Sequence, residues 1–112
     1  MALKSAPRND RDRASGLLGL AARAGRVVAG TRAVREAARR GRLDFVVVAA
    51  DASANAREKL IPLLRATGVP HAEALDRATL GAALGRARLS AVGLTDEAMA
   101  TRLREIFRAA AG

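Results

Sequence analysis

Two side chains here have chemistry of their own, His71 and Asp51, while the arginines between Arg23 and Arg42 can act only as a set. His71 is the single histidine and there is no cysteine. A metal would have to be held by scattered carboxylates without a ligating spacing, so no metal is expected. His71 reads instead as a partly exposed structural residue in a weak strand. Without cysteine, disulfides and thiol chemistry are excluded, which fits a cytoplasmic address. Asp51 ends an apolar run, where a phosphoacceptor aspartate would stand. The acidic pair that would hold magnesium after a first strand is missing, so Asp51 reads as a turn or cap residue. Gly25 and Gly30 flank a short strand rather than cluster after it, with neither the lysine of a P-loop nor three-glycine dinucleotide spacing. No cofactor is expected. Nucleophile-elbow, metalloprotease and Ser/His/Asp patterns are also missing, so no catalytic constellation is present and the chain reads as non-enzymatic.

The arginines carry the stronger signal. The chain of 112 residues has 20 basic and 11 acidic side chains, a net charge of +9. Residues 22–42 hold Arg23, Arg26, Arg32, Arg35, Arg39, Arg40 and Arg42 against Glu36 alone, whereas residues 43–112 hold nine basic and eight acidic groups. A compositional bias toward arginine would spread the excess evenly. Its concentration in one window points to a polyanionic partner. The planar guanidinium fork suits phosphates and guanine edges. There is no Trp or Tyr and only two Phe, so a stacking platform for single strands is disfavoured and a structured RNA is favoured.

The elements that must position these arginines alternate along the chain. Residues 1–12 lack apolar periodicity and read as a flexible polar tail, and residues 13–112 as one domain. Leu17, Leu18, Ala21 and Ala22 at helical spacing predict a helix over 13–24, with Ser15 or Asp12 as its cap and Gly25 as its stop. A short strand follows at 26–29. Gly30 turns the chain, and Thr31 is the expected N-cap of a helix running to about Arg40. Val34, Ala37, Ala38 and Gly41 share one face of that helix, and Arg32, Arg35, Arg39 and Arg40 spread over the other. Phe45-Val46-Val47-Val48 is a continuous apolar run, the pattern of a central strand covered on both faces. Asn55 and Glu58 fit a capping box for a helix over 56–67, with Pro62 near enough its first turns to be tolerated. Val69 to Ala74 is a weaker strand, which Pro70 places at an edge or a strand start. A loop at Leu75-Asp76-Arg77, a helix over 79–84, a strand around 89–92 and a helix capped by Thr95 complete the order αβαβαβαβα. This alternation predicts an α/β domain with helices on both sides of a small sheet.

Several of these residues, in this order, resemble the ribosomal protein L7Ae/L30e superfamily, especially its small bacterial RNA-binding members. They are Gly25-Arg26, Gly30-Thr31-Arg32, Arg40-Gly41, the run Val46 to Ser53, Gly68-Val69-Pro70, Leu80-Gly81 and Leu84-Gly85. The resemblance spans about residues 14–107. It implies a three-layer α/β/α sandwich with a small mixed four-stranded sheet. It also implies binding to kink-turns, sharply bent RNA helices built on tandem G·A pairs. The glycine turn and following helix would enter the groove at the kink, and a second loop, here Leu75, Asp76 and Arg77, would cover a flipped-out nucleotide. Carried over residue by residue, Gly30 matches the turn glycine. Arg32 stands where such proteins often have Asn, Ala33 where they often have Glu, and Glu36 where they often have Lys. Ala33 makes no polar contact and Glu36 reverses a charge, so the target is a kink-turn or another RNA fold.

The expected RNA-binding set is therefore Arg26, Gly30, Thr31, Arg32, Arg35, Arg39, Leu75, Asp76 and Arg77. The expected partner is structured RNA, a kink-turn or ribosomal RNA, bound by a monomer in association with the ribosome and with no membrane involved. Two alternatives predict different behaviour. A recognition domain detached from an RNA-modifying enzyme would have a catalytic domain on its natural polypeptide. A protein-interaction module of the same fold would not need Arg32, Arg35 and Arg39.

Overall fold

A computed structural model describes residues 8–111. Five helices and four strands alternate: α1 Arg8–Arg23, β1 Val27–Ala29, α2 Thr31–Arg39, β2 Phe45–Val48, α3 Ala54–Ala66, β3 His71–Glu73, α4 Arg77–Ala83, β4 Ala91–Leu94 and α5 Glu97–Ala111. The sheet order is β1-β4-β2-β3. β4 runs antiparallel to both β1 and β2, and β2 is parallel to β3, so β1, β2 and β3 share one direction.

The two interior strands are the apolar ones. Every residue of β2 and β4 is buried. Val46, Val47 and Val48 are 0% exposed, and burying each is worth about 1.5–3 kcal/mol. Phe45 of β2 and Phe107 of α5 pack with ring centroids 5.9 Å apart. The helices fall into two groups, α2 with α3 and α1 with α4 and α5, which cover the sheet as the outer layers of an α/β/α sandwich. The faces expected on the first two helices turn inward through Leu17, Leu18 and Ala21 on α1 and Val34, Ala37 and Ala38 on α2, while Gly41 lies exposed beyond the end of α2. Leu60 and Leu64 of α3 and Leu103 and Ile106 of α5 are buried as well. Pro70, which has no N–H to give, precedes the edge strand β3, and its carbonyl accepts from Val46 N–H at 3.0 Å.

Element ends differ from expectation where side chains compete to cap. α1 begins at Arg8 rather than Arg13, so residues 8–12 of the expected tail are helical; residues 1–7 lie outside the described residues. Asp10 in its first turn suits the helix dipole and pairs with Arg13 at 3.5 Å. Asp12 and Ser15 lie inside the helix, not at its cap. α3 begins two residues early because Ser53, not Asn55, caps it, accepting Ala56 N–H at 3.1 Å. Pro62 therefore lies well inside α3 rather than near its first turns. Both Pro62 and Glu58, whose carbonyl loses its helical donor, are exposed, so water can replace the missing bond. Asp96 rather than Thr95 caps α5, accepting Met99 N–H at 2.9 Å.

Candidate nucleic-acid interface

The shared direction of β1, β2 and β3 brings their C-terminal ends, and the start of β4, to one rim of the sheet. Backbone bonds lace the loops of this rim together. Gly30 N–H donates to Ala91 O at 2.9 Å, Ala49 N–H to Ser90 O at 2.9 Å, Ala50 N–H to Leu75 O at 2.9 Å, and Leu89 N–H to Arg77 O at 3.1 Å. The glycine turn and the loop at 75–77 thus lie on the same rim, on the two outer strands. At about 4.8 Å per strand they are roughly 14 Å apart.

Gly30 has φ 94° and ψ 158°, a region open in practice only to glycine. It, and not Thr31, is the N-cap of α2, and no side chain caps the helix. Thr31 is the first helical residue, which leaves the opening N–H groups of α2 free to meet an anion. A Cβ at Gly30 would have no atom within 4 Å, so the space in front of the turn is open.

Arg32 is exposed on the first turn of α2. Arg35, one turn on, is half-buried, and its Nε is fully buried with no hydrogen-bond partner. An orphan donor of this kind costs desolvation, while the charge of the guanidinium stays uncompensated. Arg39 is exposed farther from the rim. Glu36 is engaged by Arg40 at 2.8 Å, so the one carboxylate of this helix leaves Arg32, Arg35 and Arg39 uncompensated. Among the described residues no carboxylate pairs with those three.

Three expected site residues are placed differently. Arg26 precedes β1 at the far end of the sheet, where its carbonyl accepts from Thr95 N–H at 3.0 Å; the strand carries it about 10 Å from the rim. Leu75 is 0% exposed with φ 59°, so its side chain belongs to the core and anchors the loop instead of covering a nucleotide. Asp76 is the N-cap of α4, accepting Thr79 N–H at 2.7 Å, and Arg11 approaches its other oxygen at 3.9 Å. Arg77 stays on the rim as the first residue of α4, half-buried against Asp51.

The rim also gathers residues that sequence reasoning left out. Arg86 and Arg88 are exposed in the loop between α4 and β4, and that loop is bonded to Arg77 through Leu89. Gly81 makes the approach possible: a Cβ there would lie 2.7 Å from Ala87 O and 2.8 Å from Arg86 O. The available signal was the Gly85-Arg86-Ala87-Arg88 cluster after the helix-stopping glycine, in a half of the chain otherwise balanced in charge. His71 is half-buried with Nδ1 3.0 Å from Val69 O, consistent with its structural reading.

A family model, described as the ribosomal protein L7Ae/L30e/S12e/Gadd45 family, matches residues 12–103 of the chain. The chain belongs to this family. It is 36% identical over 87 residues, 78% of this chain and 87% of the relative, to the RNA-binding protein YlxQ of Bacillus subtilis strain 168. Among solved structures, a protein of unknown function from Bacillus halodurans superposes with a TM-score of 0.80 at 27% identity, covering 85% of this chain and 96% of that one. The Giardia lamblia 15.5 kDa RNA-binding protein superposes with a TM-score of 0.75 over 95% of this chain and 91% of that one. At 19% identity that second likeness concerns the fold. The sandwich layers and mixed sheet are those expected of the family.

Proposed function

We propose that this chain is a non-enzymatic RNA-binding protein that docks structured RNA, a kink-turn or ribosomal RNA, on the rim described above. The reading treats residues 13–112 as one binding domain, acting as a monomer in the cytoplasm in association with the ribosome. The observation that carries it is the pair Arg32 and Arg35, uncompensated and directly behind a glycine turn whose front is open. Family membership and the RNA-binding relative support it. In this arrangement a phosphate meets the free N–H groups at the start of α2, and Arg32 reaches a base edge or the next phosphate. Arg35 adds its uncompensated charge one turn on, and Arg77, Arg86 and Arg88 face the strand on the other side of the bend. A bent RNA offers phosphates to both halves of the rim at once.

Titrating the protein with a kink-turn RNA and an unkinked duplex of equal length, at two salt concentrations, tests the proposal. Tighter binding of the kinked RNA, by tenfold or more, with an affinity that falls steeply with salt is the expected result. Equal affinity for the two RNAs removes the kink-turn claim. Binding of neither removes the RNA reading.

A further inference from the structure

The rim is divided electrostatically, and the division is not visible in the charge count. On the α2 half, Arg32, Arg35 and Arg39 have no acidic partner among the described residues, and neither do Arg86 and Arg88. On the β3 half, Arg86 and Arg88 apart, the cations are already engaged: Arg57 with Glu73, Arg11 with Asp76 at 3.9 Å, and Arg77 with Asp51. The last of these differs from an ordinary surface pair. Asp51 Oδ1 accepts the backbone N–H of Arg77 at 2.8 Å, while Oδ2 lies 3.5 Å from its Nε. One carboxylate, 26 residues away in sequence, therefore holds both the backbone and the guanidinium of the same residue.

The loop this carboxylate holds needs holding. Leu75 sits at φ 59°, a costly conformation for leucine. Its carbonyl is fixed by Ala50 N–H, one residue before Asp51, and the carbonyl of Arg77 is fixed by Leu89 N–H. The loop at 75–77 is thus tied at three successive points to its neighbours on the rim, and Asp51 supplies the only side chain among these ties. Nε of Arg77 is buried but makes no aligned hydrogen bond, so the guanidinium is held by charge alone and can exchange its partner.

We propose that Asp51 is a positioning residue of the RNA interface: it sets the loop at 75–77 through the Arg77 backbone and keeps the Arg77 charge occupied until an RNA bend delivers a phosphate or nucleotide to replace it. This rests on the RNA-binding reading above. A guanidinium freed from Asp51 can swing to a phosphate of any docked RNA. An unkinked duplex does not bring a phosphate close enough to displace Asp51 itself, so in the wild type Arg77 adds nothing to its binding. A bent RNA does bring one. Asp51 thereby favours bent over straight RNA by withholding a cation from the straight one.

Two variants separate the backbone role from the charge role. Asp51→Asn keeps an oxygen for the Arg77 N–H but releases the guanidinium. Asp51→Ala removes both. In the free protein, hydrogen exchange at the Arg77 amide should stay slow in the wild type and in Asp51→Asn and become fast in Asp51→Ala. In RNA titrations, Asp51→Asn should bind the unkinked duplex about five- to eightfold more tightly at 0.1 M salt, with the log–log salt slope steeper by about 0.7–0.9, the contribution of one added phosphate contact. Its preference for the kinked RNA should shrink correspondingly. Glu105→Gln, which changes the net charge equally on α5, controls for bulk charge and should not reproduce the steeper slope. Unchanged Arg77 exchange in Asp51→Ala overturns the backbone role. Duplex binding by Asp51→Asn no stronger than by Glu105→Gln overturns the charge role. If the wild type binds neither RNA, the RNA reading and the charge role fall with it, while the exchange measurement still decides whether Asp51 holds the loop.

Discussion

Replacing Gly30 by alanine separates a conformational demand from a steric one. At φ 94° and ψ 158° an L-residue is strained, yet the added Cβ would meet no atom within 4 Å, so no packing clash contributes. Strain in this region costs about 1–3 kcal/mol, and the stiffer unfolded chain of alanine returns about 0.4–1 kcal/mol of it. The net loss should be about 1–2 kcal/mol, a fall in melting temperature of roughly 5–10 °C for a domain of this size. Circular dichroism during heating and urea unfolding would measure it. A D-alanine at the same position, introduced by peptide ligation, adds the same atoms with the opposite handedness and stiffens the unfolded chain without the strain, so it should be more stable than the wild type by about 0.4–1 kcal/mol. An L-alanine variant within about 0.3 kcal/mol of the D-alanine variant would refute the conformational argument; that margin is below the smallest strain expected. Measured well below the melting temperature, the L-alanine variant should also bind RNA at least tenfold more weakly, since its methyl occupies the open space in front of the turn.

Other expectations follow from the same geometry. Arg32→Ala with Arg35→Ala should weaken RNA binding and lower the salt slope by about 2, whereas Arg102→Ala with Arg104→Ala on α5 should do neither; equal losses would mean that only net charge matters. Ser53→Ala should cost about 0.5–2 kcal/mol by urea unfolding, while Asn55→Ala should stay within about 0.5 kcal/mol, because Ser53 alone caps α3. Gly81→Ala should destabilise by about 1–3 kcal/mol, through collision with the Ala87 and Arg86 carbonyls rather than backbone strain; crystallography of the variant should show the loop at 86–87 displaced.

Much of the architecture was legible because it is periodic. The stripes of α1, α2, α3 and α5, the uninterrupted Phe45 to Val48 run and the helix-stopping glycines are local features, and they placed all nine elements in order. What misled was competition over short range. Ser53 and Asn55, or Thr95 and Asp96, are all good caps, and only the path of the incoming chain decides which oxygen reaches the helix. Pro62 was drawn toward a helix start that lay farther away than expected.

For the candidate site, the sequence alone determined that a glycine turn leads into an arginine-rich helix with one acidic residue, since charge and helical spacing can be read without knowing any neighbour. Tertiary structure decided the rest. Strand direction moved Arg26 to the far end of the sheet and drew the loop at 75–77 and the Arg86–Arg88 loop onto the same rim as Gly30. Core packing turned Leu75 inward. Asp51, which looked like a turn residue, became the carboxylate that holds Arg77. Each of these depends on contacts between residues distant in the chain, and such contacts exist only once the sheet has set the register that brings them together.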